Sequence, residues 1–156
     1  MEVNTRAFGL IDIDDDKIIK FDNGIVGFSD LQLFALIHNE EKKGGIRWLQ
    51  SLDEPCFALP VMDPLMVVPE YNPEVEDELI KHVGDLNPDD TLVLVTVTVP
   101  SDLTKMTVNL KAPIIINAQT KKACQVVVEG DEYAVKFPIY QILMDAKAKK
   151  MMKGDE

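Results

Sequence analysis

The stretch "TLVLVTVTV", residues 91–99, carries the clearest secondary-structure signal in the chain. Its β-branched residues fit a pleated sheet and lose rotamer freedom in a helix. The unbroken apolar run Leu92-Val93-Leu94-Val95 is denser than the alternation of a strand with one wet face. The stretch is therefore expected to be a central, largely buried strand.

Other strands surround it in sequence. "VNTRAF" alternates weakly near the start. "LIDIDDDKIIKF" reads as a hairpin, with Leu10–Ile13 and Lys17–Phe21 as arms and Asp14–Asp16 as the turn. Asp22-Asn23-Gly24 signals another turn, since Asn and Gly tolerate positive φ. "LQLFALI" (31–37) and "IRWLQSL" (46–52) flank a charged loop, "HNEEKKGG" (38–45). "CFALPVM" follows the turn "DEP". Its Pro60 cannot donate to a ladder, which predicts an edge strand or a bulge there. "MTVNL" and "APIIIN" are strands on either side of Lys111, and "ACQVVVEGDEYAV" reads as a hairpin turning at Gly130-Asp131.

Two helices are expected. "PEVEDELIKHV" (73–83) has Pro73 in its first turn, acids where the helix dipole favours them, and Val75, Leu79, Ile80 and Val83 at helical spacing. "YQILMDAKAKKMM" closes the chain, with Ile142, Leu143 and Ala146 facing inward and lysines outward. "NPDD" (87–90) is a turn or one helical turn. The sum is about eight to eleven strands joined mostly by short turns. The expected fold is mainly β: a small closed or partly open antiparallel β-barrel-like domain with one or two short helices. It spans residues 1–150 as a single domain, with 151–156 as a flexible tail.

The totals exclude several classes. Sixteen basic against 27 acidic residues leave a net charge of −11, which repels a phosphate backbone, so no direct nucleic-acid binding is expected. Cys56 and Cys124 lie far apart, which excludes a disulfide-dense scaffold and suits a reduced cytoplasmic setting. "MEVNTRAFGL" lacks the basic start and apolar run of a signal peptide. No apolar stretch approaches the ~20 residues of a membrane helix, so no membrane partner is expected.

The search for chemistry ends without a catalytic set. "WLQSLDEPCF" (48–57) holds the only tryptophan, a cysteine, a serine and two carboxylates. A Ser or Cys nucleophile needs a histidine and an orienting group, and the chain has only His38 and His82. Cys56 and Cys124 read as small buried hydrophobes. Trp48, Leu49 or Leu52, and Phe57 read as core, leaving Gln50 and Ser51 as candidates for the surface. "DIDDD" (12–16) lacks the glycine and distant glutamate of a calcium loop, so a solvated turn is expected and no metal or cofactor is.

The informative block is "MTVNLKAPIIINAQTKKACQVV" (106–127). Asn109, Lys111 and Asn117 interrupt apolar strands and Pro113 sits within one. Local physics reads them as bulge or turn residues. Together, "TVNLKAPIIIN", "FDNGIVGF" (21–28), "WLQSLDEPCFALPV", "DPLMVVPEY" (63–71) and "VLVTVTVP" resemble, in order and over nearly the whole chain, the FliW flagellar assembly factor family. Val26, where the family often has proline, and Cys56, where an aliphatic residue is usual, depart from its pattern.

The resemblance implies a non-enzymatic, cytoplasmic β-barrel-like protein. It implies two partners. One is CsrA, a basic RNA-binding dimer that represses flagellin translation and whose repression FliW relieves. The other is flagellin, which competes for FliW. The chain alone is expected to be monomeric. A charge of −11 would steer a basic partner. Glu70, Glu74, Glu76, Asp77 and Glu78 lie in the densest acidic region, between Glu70 and Asp90, where only Lys81 opposes them. They are candidates for the CsrA-facing field. Asn109, Lys111 and Asn117, with Gln50 and Ser51, are candidates for partner contact. For the asparagines, the alternative is that they satisfy buried backbone groups. A small-ligand-binding β-barrel is the competing function. It would need an open, polar-lined interior, which a filled core around residues 91–99 would exclude.

Overall fold

The computed structural model describes residues 2–6, 8–25, 27–38, 46–73, 75, 81–84, 87–130 and 132–154. Residues 91–98 form β7 (Thr91–Thr98), which pairs with β6 (Ala58–Met62), β8 (Thr107–Val108) and β9 (Ile114–Asn117). It is central, as its composition predicts.

From β7 the ladder runs through β6 to β5 (Arg47–Ser51), β4 (Leu33–His38) and β3 (Ile18–Phe21). It closes through β10 (Lys122–Gln125) and β9 back onto β7, a ring of seven strands. Six of its seams are antiparallel, and the β3–β10 seam is parallel, Lys122 opposing Lys20 and Ala123 opposing Phe21. β11 (Phe137–Pro138) extends the sheet beyond β8.

Each strand of the ring sends a side chain into one interior cluster. Phe21, Phe34, Leu49, Val61, Leu94, Ile114, Ile116 and Ala123 meet there, all buried. Phe34 packs edge-on to Phe21 with ring centroids 5.2 Å apart. Each fully buried Phe or Leu contributes about 1.5–3 kcal/mol. The barrel is thus filled by its own side chains.

The alternate residues of β7 face outward. Val95 and Val97 pack with Met62, Tyr71, Val108, Leu110 and Ile139 in a second cluster. The C-terminal helix α1 (Tyr140–Gly154) caps this cluster with Ile142 and Leu143. Ala146, expected inward, is exposed. A third cluster, Val3, Ile13, Ala35 and Leu52, lies beneath β1 (Glu2–Thr5) and β2 (Gly9–Asp12).

Both expected hairpins around aspartate or glycine turns are corrected. Leu10–Ile13 does not pair with Lys17–Phe21. β2 folds back onto β1, with Val3 opposite Ile11, and Asp15–Lys17 forms a 3-10 turn that hands the chain to a different sheet. Nor does the segment after β10 return upon it. Val126 and Val128 donate to the carbonyls of Pro113 and Lys111, and the chain goes on to pair β11 with β8. Pro60 sits in a strand flanked on both sides. It opposes Trp48 of β5, and the β6–β7 ladder begins only at Val61, so the missing N–H falls where that ladder has not started. Pro113 falls just outside β9. Most of the helix expected at 73–83, and all but the start of the loop at 38–45, lie outside the described residues. Lys81–Val83 is a 3-10 turn, as is Pro88–Asp90.

Candidate protein-binding surface

The β9–β10 turn holds two residues near the end of the acidic stretch, Val83 and Asp90. Asn117 ends β9 and is 1% exposed. Its Nδ2 donates to the Val83 carbonyl at 2.9 Å, and its Oδ1 accepts from the Gln119 backbone N–H at 3.0 Å. Thr120 Oγ1 donates to the same Val83 carbonyl at 2.8 Å. On the other flank the Ala118 N–H donates to the Asp90 carbonyl, and Gln119 Nε2 donates to the Asp90 carboxylate at 2.7 Å. One tight turn, with Lys121 at φ 60°, therefore holds both Val83 and Asp90. Those residues bracket the end of the densest acidic stretch in the sequence. Asn117 works inside the fold, satisfying buried backbone groups.

Asn109 and Lys111 are half-buried. Asn109 Oδ1 accepts from the Lys111 N–H at 3.1 Å, an Asx-type bond that turns the chain between β8 and β9. Glu70 is exposed. Glu74, Glu76, Asp77 and Glu78 lie outside the described residues.

Gln50 and Ser51 do not reach the surface; both are fully buried, which corrects their expected position. Gln50 Nε2 faces the carbonyls of Ser51, Pro55 and Phe57 at 2.9–3.1 Å. Ser51 Oγ accepts from the Glu54 N–H, and Asp53 accepts from the N–H groups of Gln32 and Leu33. These polar residues knit the turn after β5. A Ser51 hydroxyl so placed is no accessible nucleophile. Cys56, read as a buried residue, is exposed; Cys124 is buried, and burial pushes its thiol up to about 11. The side chains of His38 and His82 lie outside the described residues. Among the described residues no cluster of three or more His, Cys, Asp or Glu could hold a metal, and no helix is long and apolar enough to cross a membrane.

A groove of about 520 Å³ opens against the β7–β9 seam. Val93 and Ile115, directly opposed on β7 and β9, lie in its wall with Tyr71 and Pro113. Leu65 and Met66, on a 3-10 turn capped by Asp63, are 52% and 50% exposed at its lip. The Tyr71 hydroxyl donates to the Leu110 carbonyl at 2.6 Å. Burial, and secondarily the neighbouring Tyr133, push its phenol well above the ordinary value. Sequence reading missed this groove because its walls come from segments far apart in the chain.

The "FliW protein" family profile matches residues 2–139. The chain belongs to the FliW family. It is 48% identical over 152 residues to the flagellar assembly factor FliW of Lachnoclostridium phytofermentans, covering 96% of this chain and 97% of that one. It is 50% identical over 146 residues to that of Lachnospira eligens, covering 92% and 97%. A crystal structure of the flagellar assembly factor FliW superposes with a TM-score of 0.82 at 27% identity, covering 89% of this chain and 96% of the other. The mainly β barrel is therefore the FliW fold. In this FliW chain the early glycine loop has a steric reason. Gly24 has φ 68°, and a Cβ there would lie 2.5 Å from Ser29 Cα.

Proposed function

We propose that this protein is a non-enzymatic, cytoplasmic regulator of flagellar assembly. In this reading it binds CsrA, relieves CsrA repression of flagellin translation, and is in turn occupied by flagellin. Membership of the FliW family and the name carried by its relatives support the flagellar role. The observation that carries the choice of a basic partner is the acidic stretch from Glu70 to Asp90, tethered to the barrel through Val83 and Asp90. Such a surface attracts a basic protein and repels its RNA. Glu70, Glu74, Glu76, Asp77 and Glu78 supply the field, and Asn109 and Lys111 are further candidates for contact. Asn117 acts by holding Val83. Residues 1–150 act as one unit, and α1 carries the chain on to Gly154.

The test is a titration of the purified chain against CsrA and, separately, flagellin, at low and physiological salt. Binding of both is expected. Reversal of the five acids should slow CsrA association at low salt, where charge acts over roughly 30 Å at 0.01 M. Unchanged association would remove the charge argument, and failure to bind either partner would remove the reading.

A further inference from the structure

We infer that the groove between the Leu65-Met66 turn and the β7–β9 seam receives an apolar anchor from the basic partner, so that charge brings the partner in and the groove retains it. The inference rests on the function proposed above and names the place of tightest contact.

Three observations carry it. The groove is apolar where it is deep: Val93, Ile115, Tyr71 and Pro113 line it. Its lip is apolar and exposed, since Leu65 and Met66 each leave about half their surface in water at 52% and 50%. Adjacent bulky apolar residues so exposed beside a concavity mark an interaction site more often than an ordinary surface. Finally, acids adjoin it: Asp63 lines the groove, and Glu70 and Asp90 directly precede the lining residues Tyr71 and Thr91. Arg47, also in the lining, is the exception.

A small molecule is the poorer fit. Small-molecule sites converge a few free polar groups on an enclosed apolar space. Here the Tyr71 hydroxyl is committed to Leu110, Asp63 Oδ1 caps the Leu65 N–H, and Arg47 is left as the one basic group of an otherwise largely apolar lining. An acidic rim around an apolar cleft suits a segment with one or more bulky apolar side chains flanked by Lys or Arg. Such an anchor, once desolvated, dominates binding energy, while rim charges chiefly set the association rate.

The experiment uses the full chain with CsrA as the probe, and compares Met66→Glu and Leu65→Glu with wild type. The sign separates the two contributions. Each substitution adds negative charge, so steering alone predicts unchanged or faster association with a basic partner. An apolar anchor in the groove predicts at least tenfold weaker binding, seen mainly as faster dissociation, with Met66→Leu restoring it. Both sites are half-exposed, so melting temperatures within a few degrees of wild type are expected, and Leu65→Glu serves if Met66→Glu melts lower. Wild-type-like affinity in both folded Glu variants, with wild type binding normally, would overturn the inference and leave the proposed function standing. No binding of CsrA by wild type would overturn both.

Discussion

Replacing Asn117 by alanine should destabilise this protein while leaving the barrel intact. The substitution removes the Nδ2 bond to Val83 and the Oδ1 acceptor of the Gln119 N–H. A net hydrogen bond is worth about 0.5–1.5 kcal/mol, and leaving a buried group unpaired costs about 1–3 kcal/mol. The Val83 carbonyl keeps Thr120 Oγ1, and exposed Gln119 can turn to water, which limits the loss. A cost of about 2–3 kcal/mol follows, or a Tm lower by about 4–12 °C at the 2–4 °C per kcal/mol of a domain this size. Thermal denaturation followed by circular dichroism measures it. Asn117→Ala combined with Thr120→Ala strips both side-chain donors from the Val83 carbonyl, so the double variant should lose more than the two singles together. Asn117→Asp keeps the acceptor but turns a carboxylate toward the Val83 carbonyl in a buried site. That raises its folded-state pKa above the unfolded value near ~3.9. The penalty is then full above the folded pKa and shrinks as pH falls through it toward the unfolded one, so the gap to wild type should narrow between about pH 7 and pH 4. A Tm for Asn117→Ala within a degree of wild type would refute this reasoning; lost CsrA binding at an unchanged Tm would place Asn117 at the interface instead.

Three further outcomes are expected. With a thiol reagent such as Ellman's, exposed Cys56 should react at once and Cys124 only on unfolding, because burial both hides it and pushes its thiol up to about 11; equal rates would contradict the burial. Absorbance at 295 nm should show Tyr71 still protonated above the ordinary phenol value near pH ~10. Its phenol is raised in the fold, so this contribution to stability is complete below about pH 10 and is lost as pH rises through and beyond that value, which alkaline urea melts can check. Phe34→Ala in the barrel interior should cost about 3–5 kcal/mol by urea denaturation, and a loss under about 1 kcal/mol would deny the filled core.

The sequence by itself determined the strands and the class of fold. Strand composition is a local property, so "TLVLVTVTV" announced a central strand and "LQLFALI", "IRWLQSL" and "APIIIN" announced its companions, but the burial expected of the first holds only at Leu94, Val95 and Val97, and Leu92 is exposed. The family was legible too, in the block around Asn109, Lys111 and Asn117. Tertiary structure decided who pairs with whom and what is covered. Period and turn residues mark where a strand ends but not its partner. β2 therefore turned back to β1, and β10 closed the barrel in parallel against β3, a residue separation no local signal encodes. Gln50 and Ser51 looked like surface chemistry because their polarity is visible in sequence, whereas the partners of Gln50 are carbonyls of the turn after β5. Asn117 follows the alternative read from the sequence, satisfying a buried backbone group, that of distant Val83. Cys56 went the other way, exposed at a turn where a strand residue was expected. The groove is wholly a tertiary product. Its walls, Leu65-Met66, Tyr71, Val93, Pro113 and Ile115, meet only once the barrel has closed.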